Sequence, residues 1–294
     1  MRLNRIETAE KAYEEVATNV EHTISDSKEI KKRTLQELNL EDDFLFSRVM
    51  ADEEVCRLLL EKLLGITISK IVISEEQKTI NLMFDGKGIR FDVYLKDDKG
   101  TVYEVEMQKG KEIHLPKRTR YYQGNMDLDL VAKGASYDDL PKSFVIFICT
   151  FDYFKKGRHL YTFEKQCVED HNIKLNDETQ VLILNTKGTM NDVDDEMLEF
   201  LRYVERSTDE IAEASKGTLV KNIHDRVKDV KCNKAMGVQY MTFEEKLQES
   251  ERRGLERGIE TKAIEAAKNL KKAGVDIETI AKCVGLPAEE VEKL

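Results

Sequence analysis

The sequence predicts a mixed α/β domain followed by a helical extension, and three patterns carry that reading. ISKIVISEE and GIRFDVYLKDDKGTVYEVEMQ alternate apolar and polar residues in stretches rich in β-branched and aromatic side chains, as half-buried strands do. The continuous apolar run SFVIFICTF (143–151) reads as a fully buried central strand, and TQVLILNT (179–186) as another. Elsewhere apolar residues recur at spacings of three and four, the period of an amphipathic helix.

Residues 1–40 are polar, rich in Glu, Lys and Thr, and read as an exposed helical lead-in. The main domain is expected over 41–205. It opens with DDFLFSRVMADEEVCRLLLEKLLG, where Phe44, Phe46, Val49, Met50, Val55, Leu58, Leu59 and Leu63 mark one face of a helix closed by Gly65. A further helix is expected from Pro116 to Lys133, with proline at its first position. Residues 206–294 form the charged extension. MLEFLRYV leads into a helical stretch from Thr208 to Val230 that reads as less deeply buried, then a long charged helix ends at Gly274 with opposite charges three or four residues apart. Its apolar positions do not hold a heptad. The tail from Asp276 resembles half of a helix-turn-helix. Its second helix, PAEEVEKL, carries three glutamates where a DNA-reading helix presents cations or amides, so the tail reads as a packing element or a means of forming a homo-oligomer.

Composition narrows the function. A chain of 294 residues buries a real core. The cysteines Cys56, Cys149, Cys167, Cys232 and Cys283 are scattered, with no C-x-x-C pair, so neither a zinc site nor a disulfide framework is indicated. With no apolar run of membrane-spanning length and no signal segment, a soluble, cytoplasmic protein is expected. The formal net charge of −10 excludes non-specific nucleic-acid binding by the whole surface and requires any phosphate contact to be local.

Residues 89–108 carry the candidate chemistry. A hairpin closed by Asp98-Lys99-Gly100, with Gly100 left-handed, pairs Asp97 with Thr101 and sets Asp92 opposite Glu106. Glu104, Glu106 and Gln108 then share a face with Asp92, while Ile89, Phe91, Val93 and Leu95 point away with Tyr103, Val105 and Met107. Converging carboxylates repel unless neutralised, and a hard divalent cation is the natural neutraliser. A two-residue loop would instead shift the register by one and separate the two acids, leaving ordinary solvent-facing carboxylates. Directly downstream, KGKEIHLPKRTRYYQGN gathers Lys109, Lys111, Lys117, Arg118 and Arg120 in an otherwise acidic chain. Cations beside a carboxylate-bound metal suit a phosphodiester, although Arg118 and Arg120 have many acids nearby to pair with.

Taken in order, DDFLFSRVM, IRFDVYLKDDKGTVYEVEMQ, LPKRTRYYQGNMDL, KGASYDDLPKSFVIFICTFD and LILNTKG resemble the Rpn family of recombination-promoting nucleases and transposases, within the PD-(D/E)XK nuclease superfamily. The resemblance runs over roughly residues 40–205. It implies a nuclease-like mixed central sheet flanked by helices. It also implies a metal-dependent DNA endonuclease using Mg²⁺ or Mn²⁺, with Asp92 and Glu106 as metal ligands. The superfamily's lysine is replaced by Gln108, which carries no charge but can orient an attacking water by hydrogen bonding. Asp43, with Asp42 close behind, matches an upstream acid that completes such sites. Capping of the helix that starts near Phe44 is the competing role for Asp43. In the following helix Arg120, Tyr121 and Gln123 match positions beyond the motif, and helical spacing lets Arg120 and Gln123 face one way. For the tyrosines, packing is the favoured role. Lys109, Lys111, Lys117, Arg118, Arg120 and Gln123 together form the expected nucleic-acid contact. The competing reading is a non-catalytic interaction protein that keeps the nuclease fold.

Overall fold

A strand covered on both faces must be apolar at every position, and Ser143–Cys149, with all seven residues buried, takes the middle of the sheet. The computed structural model describes residues 33–76, 79–80, 89–90, 92–110, 114–131, 134 and 136–294. The lead-in before residue 33, Lys111, Phe91 and the side chain of Ile89 lie outside the described residues.

The strands are β1 (Ile71–Glu76), β2 (Thr79–Ile80), β3 (Ile89–Arg90), β4 (Val93–Asp97), β5 (Val102–Gln108), β6 (Ser143–Cys149), β7 (Leu160–Phe163) and β8 (Thr179–Asn185). Six of them form one mixed sheet in the order β1-β4-β5-β6-β8-β7, and β2 pairs with β3 apart from it. β1 with β4 and β4 with β5 pair antiparallel, whereas β5, β6 and β8 are mutually parallel. Parallel neighbours cannot be joined by a hairpin, so the chain crosses from β5 to β6 through a helix. β7, a half-exposed four-residue strand on the sheet edge, has too short an apolar signal to be read from the sequence.

The helices are α1 (Asp43–Met50), α2 (Glu53–Leu64), α3 (Leu115–Leu130), α4 (Asp195–Glu205), α5 (Asp209–Ala214), α6 (Thr218–Cys232), α7 (Lys234–Lys272), α8 (Ile277–Val284) and α9 (Ala288–Lys293). The continuous helix expected up to Gly65 is two helices. Asp52 turns extended between them, and its carboxylate accepts from the backbone N–H groups of Glu54 (3.1 Å) and Val55 (3.2 Å), capping α2. Gly65 then ends α2 in the left-handed conformation, φ 64°.

One face of the sheet is covered by α3, the crossover helix, whose Leu115, Tyr122 and Met126 pack on Tyr94, Val102, Val145, Phe147, Cys149 and Ile183. Residues of opposite parity (Leu95, Tyr103, Val105, Ile146, Leu184) are buried on the other face. α1 packs on β5, and α6 packs on α1, α2, α4 and α5. This corrects the expectation that residues 208–230 are less deeply buried. Leu219, Val220, Ile223, Val227 and Val230 of α6 are all buried, and one compact unit runs from Thr34 to Val238. Gln239–Leu294 fall to a second unit, in which Ala267 of α7, Ile280 and Val284 of α8 and Val291 of α9 form a small core of their own. Among the described residues no helix is long and apolar enough to cross a membrane.

Ile223, fully buried on α6, tests how far the compact unit extends. Replacing it with alanine should cost about 2–5 kcal/mol, read as a lowered urea midpoint of the whole domain. An unchanged midpoint would place α6 outside the cooperative unit.

Candidate active site

The site begins at the turn between β4 and β5. Asp97 accepts through Oδ1 from the N–H groups of Lys99 (2.9 Å) and Thr101 (2.8 Å), and through Oδ2 from the Tyr103 hydroxyl (2.8 Å). Gly100, at φ 87°, takes the left-handed position, its N–H donating to Asp97 O at 3.1 Å. Asp97 N–H in turn donates to Thr101 O at 3.0 Å, so the loop has three residues. The register follows as Lys96 opposite Val102, Tyr94 opposite Glu104 and Val93 opposite Val105. One further step brings Asp92 to Glu106. There Asp92 N–H approaches Glu106 Oε2 at 3.4 Å, and Met107 N–H donates to Asp92 Oδ2 at 3.1 Å.

Register also decides burial. The parallel partner β6 sets Val145 beside Glu104 and Phe147 beside Glu106, under the cover of α3. Glu104 is 0% exposed and Glu106 4%. Neither carboxyl oxygen of Glu104 has a hydrogen-bond partner. Burial, then the neighbouring Glu106, then Asp92 hold its pKa well above 4.5. Burial also raises Glu106, opposed first by the Arg118 guanidinium and also by the Tyr122 hydroxyl.

Arg118 reaches down from the first turn of α3. Its Nη2 donates to Glu106 Oε1 and its Nη1 to Gln108 Oε1. Nε (3.1 Å) and Nη2 (2.8 Å) donate to the Tyr122 hydroxyl, which donates onward to Glu106 Oε1 at 3.2 Å. The guanidinium lies 5.1 Å from the Tyr122 ring centre and 5.3 Å from that of Phe147, within cation–π range. Arg118 and Tyr122 are four residues apart, so one helix face delivers both. That spacing is the signal that could have placed Tyr122 in the site, where the sequence reading favoured packing for the tyrosines.

The other candidates separate into two groups. Lys109 turns to the start of α1, its Nζ 2.8 Å from both Glu41 Oε1 and Asp42 Oδ1. Asp42 is the residue that precedes α1, and Asp43 is its first helical residue. The Asp43 carboxyl is raised by crowding from the surrounding chain and by Asp42, with Lys109 and Arg118 near enough to oppose the shift. It therefore sits within electrostatic reach of the hairpin. On α3, Lys117 and Arg120 are exposed, but Gln123 is buried. Its Nε2 donates to Asp127 Oδ1 and Ser143 Oγ, both at 2.8 Å, so it braces α3 on β6 and does not share a solvent face with Arg120.

Asp92 and Glu106 offer hard oxygen donors of the kind that hold a divalent cation. Among the described residues no group of three or more His, Cys, Asp or Glu side chains is spaced to hold a metal ion.

Raised carboxyls carry a stability signature. The folded state keeps protons on Glu104 and Glu106 that the unfolded chain releases near 4.5. Their contribution is therefore complete below that pH and is lost as pH rises through the folded values. In chelator, the melting temperature of Glu104→Gln should fall less between acid and neutral pH than that of the parent protein. Parallel curves would show that Glu104 does not hold its proton.

A family model described as PD-(D/E)XK nuclease family transposase matches residues 40–257, a span that contains every residue of the site. No curated protein and no solved structure gives a significant match. With three quarters of its length inside that match, the chain belongs to the PD-(D/E)XK nuclease family transposases.

Proposed function

We propose that the protein is a metal-dependent DNA endonuclease acting in recombination or transposition. The observation that carries the reading is the meeting of Asp92 and Glu106 on one buried hairpin face, next to a helix that presents cations. Asp92 and Glu106 would hold Mg²⁺ or Mn²⁺, which supplies Lewis-acid polarisation of a phosphate oxygen. Gln108 would orient the water whose oxygen forms the new bond to phosphorus as the P–O bond to the leaving strand breaks, the water's proton passing to solvent and the departing oxygen taking one up from solvent. Asp43 adds negative charge at the edge of the site. Lys117 and Arg120, exposed on α3, track the phosphates of the strand. Because the chain carries a net charge of −10, phosphate contacts have to come from a local basic face, and this helix offers one.

A second reading, a binding module that keeps the fold without cleaving, is favoured by the uncharged Gln108 where the superfamily has lysine. Plasmid nicking separates the two. Mg²⁺ or Mn²⁺ should support nicking and chelator should stop it. Asp92→Ala should abolish it, and Glu106→Gln should lower it by roughly 100-fold or more without loss of fold. The double replacement of Lys117 and Arg120 by alanine should flatten the log–log salt dependence of DNA binding by about two units. A parent protein that binds DNA but never nicks it in either metal favours the second reading.

A further inference from the structure

The motif lacks its lysine, yet the site does not lack a cation. Lys109, next in sequence to Gln108, is committed to Glu41 and Asp42 at the mouth of α1. The positive charge on Glu106 comes from the opposite layer, where Arg118 of α3 spans Glu106, Gln108 and the Tyr122 hydroxyl with one planar fork. Gln108 turns its oxygen, the acceptor end of its amide, toward that guanidinium. Glutamine is therefore matched to the arrangement, whereas an ammonium at 108 would face Arg118 with like charge.

From this geometry we propose that Arg118 is a positioning residue with two stations. Without metal it is the counter-ion of Glu106. When a divalent cation occupies Glu106, the guanidinium gives up that carboxylate and supplies, from beside Gln108, the charge that lysine supplies elsewhere. The inference rests on the metal-binding reading above. Two features make the exchange reachable. The Tyr122 hydroxyl holds Nε and Gln108 holds Nη1, and the Phe147 and Tyr122 rings hold the guanidinium plane, so Nη2 can release the carboxylate oxygen of Glu106 while the other contacts keep the guanidinium in place. Arg118 and the metal thus compete for Glu106, and binding of one opposes the other.

Mn²⁺ affinity, measured by calorimetry on the full chain, reads this competition without any turnover. Arg118→Gln should bind Mn²⁺ roughly tenfold more tightly than the parent, the effect of removing one competing charge-assisted hydrogen bond. Arg118→Lys, which keeps the charge but cannot span three partners, should fall between them. Adding Gln108→Lys to Arg118→Gln restores a cation beside Glu106, and should return both the affinity and the nicking rate toward the parent values. A folded Arg118→Gln protein with unchanged or weaker Mn²⁺ affinity overturns the proposal while leaving the metal site intact. A parent protein that binds no Mn²⁺ overturns the metal-binding reading and this inference with it. If circular dichroism shows Arg118→Gln to be unfolded, the Arg118→Lys affinity decides alone, and parity with the parent overturns the exchange.

Discussion

Burying carboxylates inside a sheet is the constraint on which this molecule is organised. Glu104 and Glu106 lie on a strand flanked by neighbours on both edges and roofed by α3, where ionised acids are costly unless an opposite charge is held against them. One has carboxyl oxygens without a hydrogen-bond partner, and burial holds its pKa well above the usual carboxylate range, while the other receives the Arg118 guanidinium. Removing one partner of a buried ion pair typically costs about 3–5 kcal/mol, because the charge that remains has nothing to balance it. The crossover helix must therefore do two things at once. It covers the apolar half of its sheet face with Leu115, Tyr122 and Met126, and it delivers the charge that the polar half requires.

Such a site needs an accurate register, and the turn supplies it. Asp97 collects two backbone N–H groups and the Tyr103 hydroxyl, and Tyr103 stacks on Phe144 of β6 at 5.3 Å, so the hairpin end is fixed to the neighbouring parallel strand. A slip of one residue would bring Val105 and Met107 to the α3 face and carry the glutamates to the other layer. The same layer pattern explains why α6 belongs with the domain. The face of the sheet opposite α3 is apolar along β4, β5, β6 and β8, and α1 alone cannot cover it. α2 packs on β1, and α6 packs on both α1 and α2.

The sequence by itself determined a great deal, for a definite reason. Strand parity, the three-residue loop with its left-handed Gly100, the buried run 143–149 and the family motif are all local patterns, and local geometry enforces them. They were sufficient to bring Asp92 to Glu106 in the reading of the chain. Pairings between elements distant in sequence carry no such pattern. That Arg118 turns inward to Glu106 while Arg120 stays in solvent, that Lys109 goes to Glu41 and Asp42, and that Gln123 braces Ser143 all depend on how α3 and α1 dock on the sheet. The break at Asp52 and the deep burial of α6 are of the same kind. A helical period shows which face is apolar, but what that face meets is set only when the layers close. In this protein that closure decides which of its many charges belong to the site.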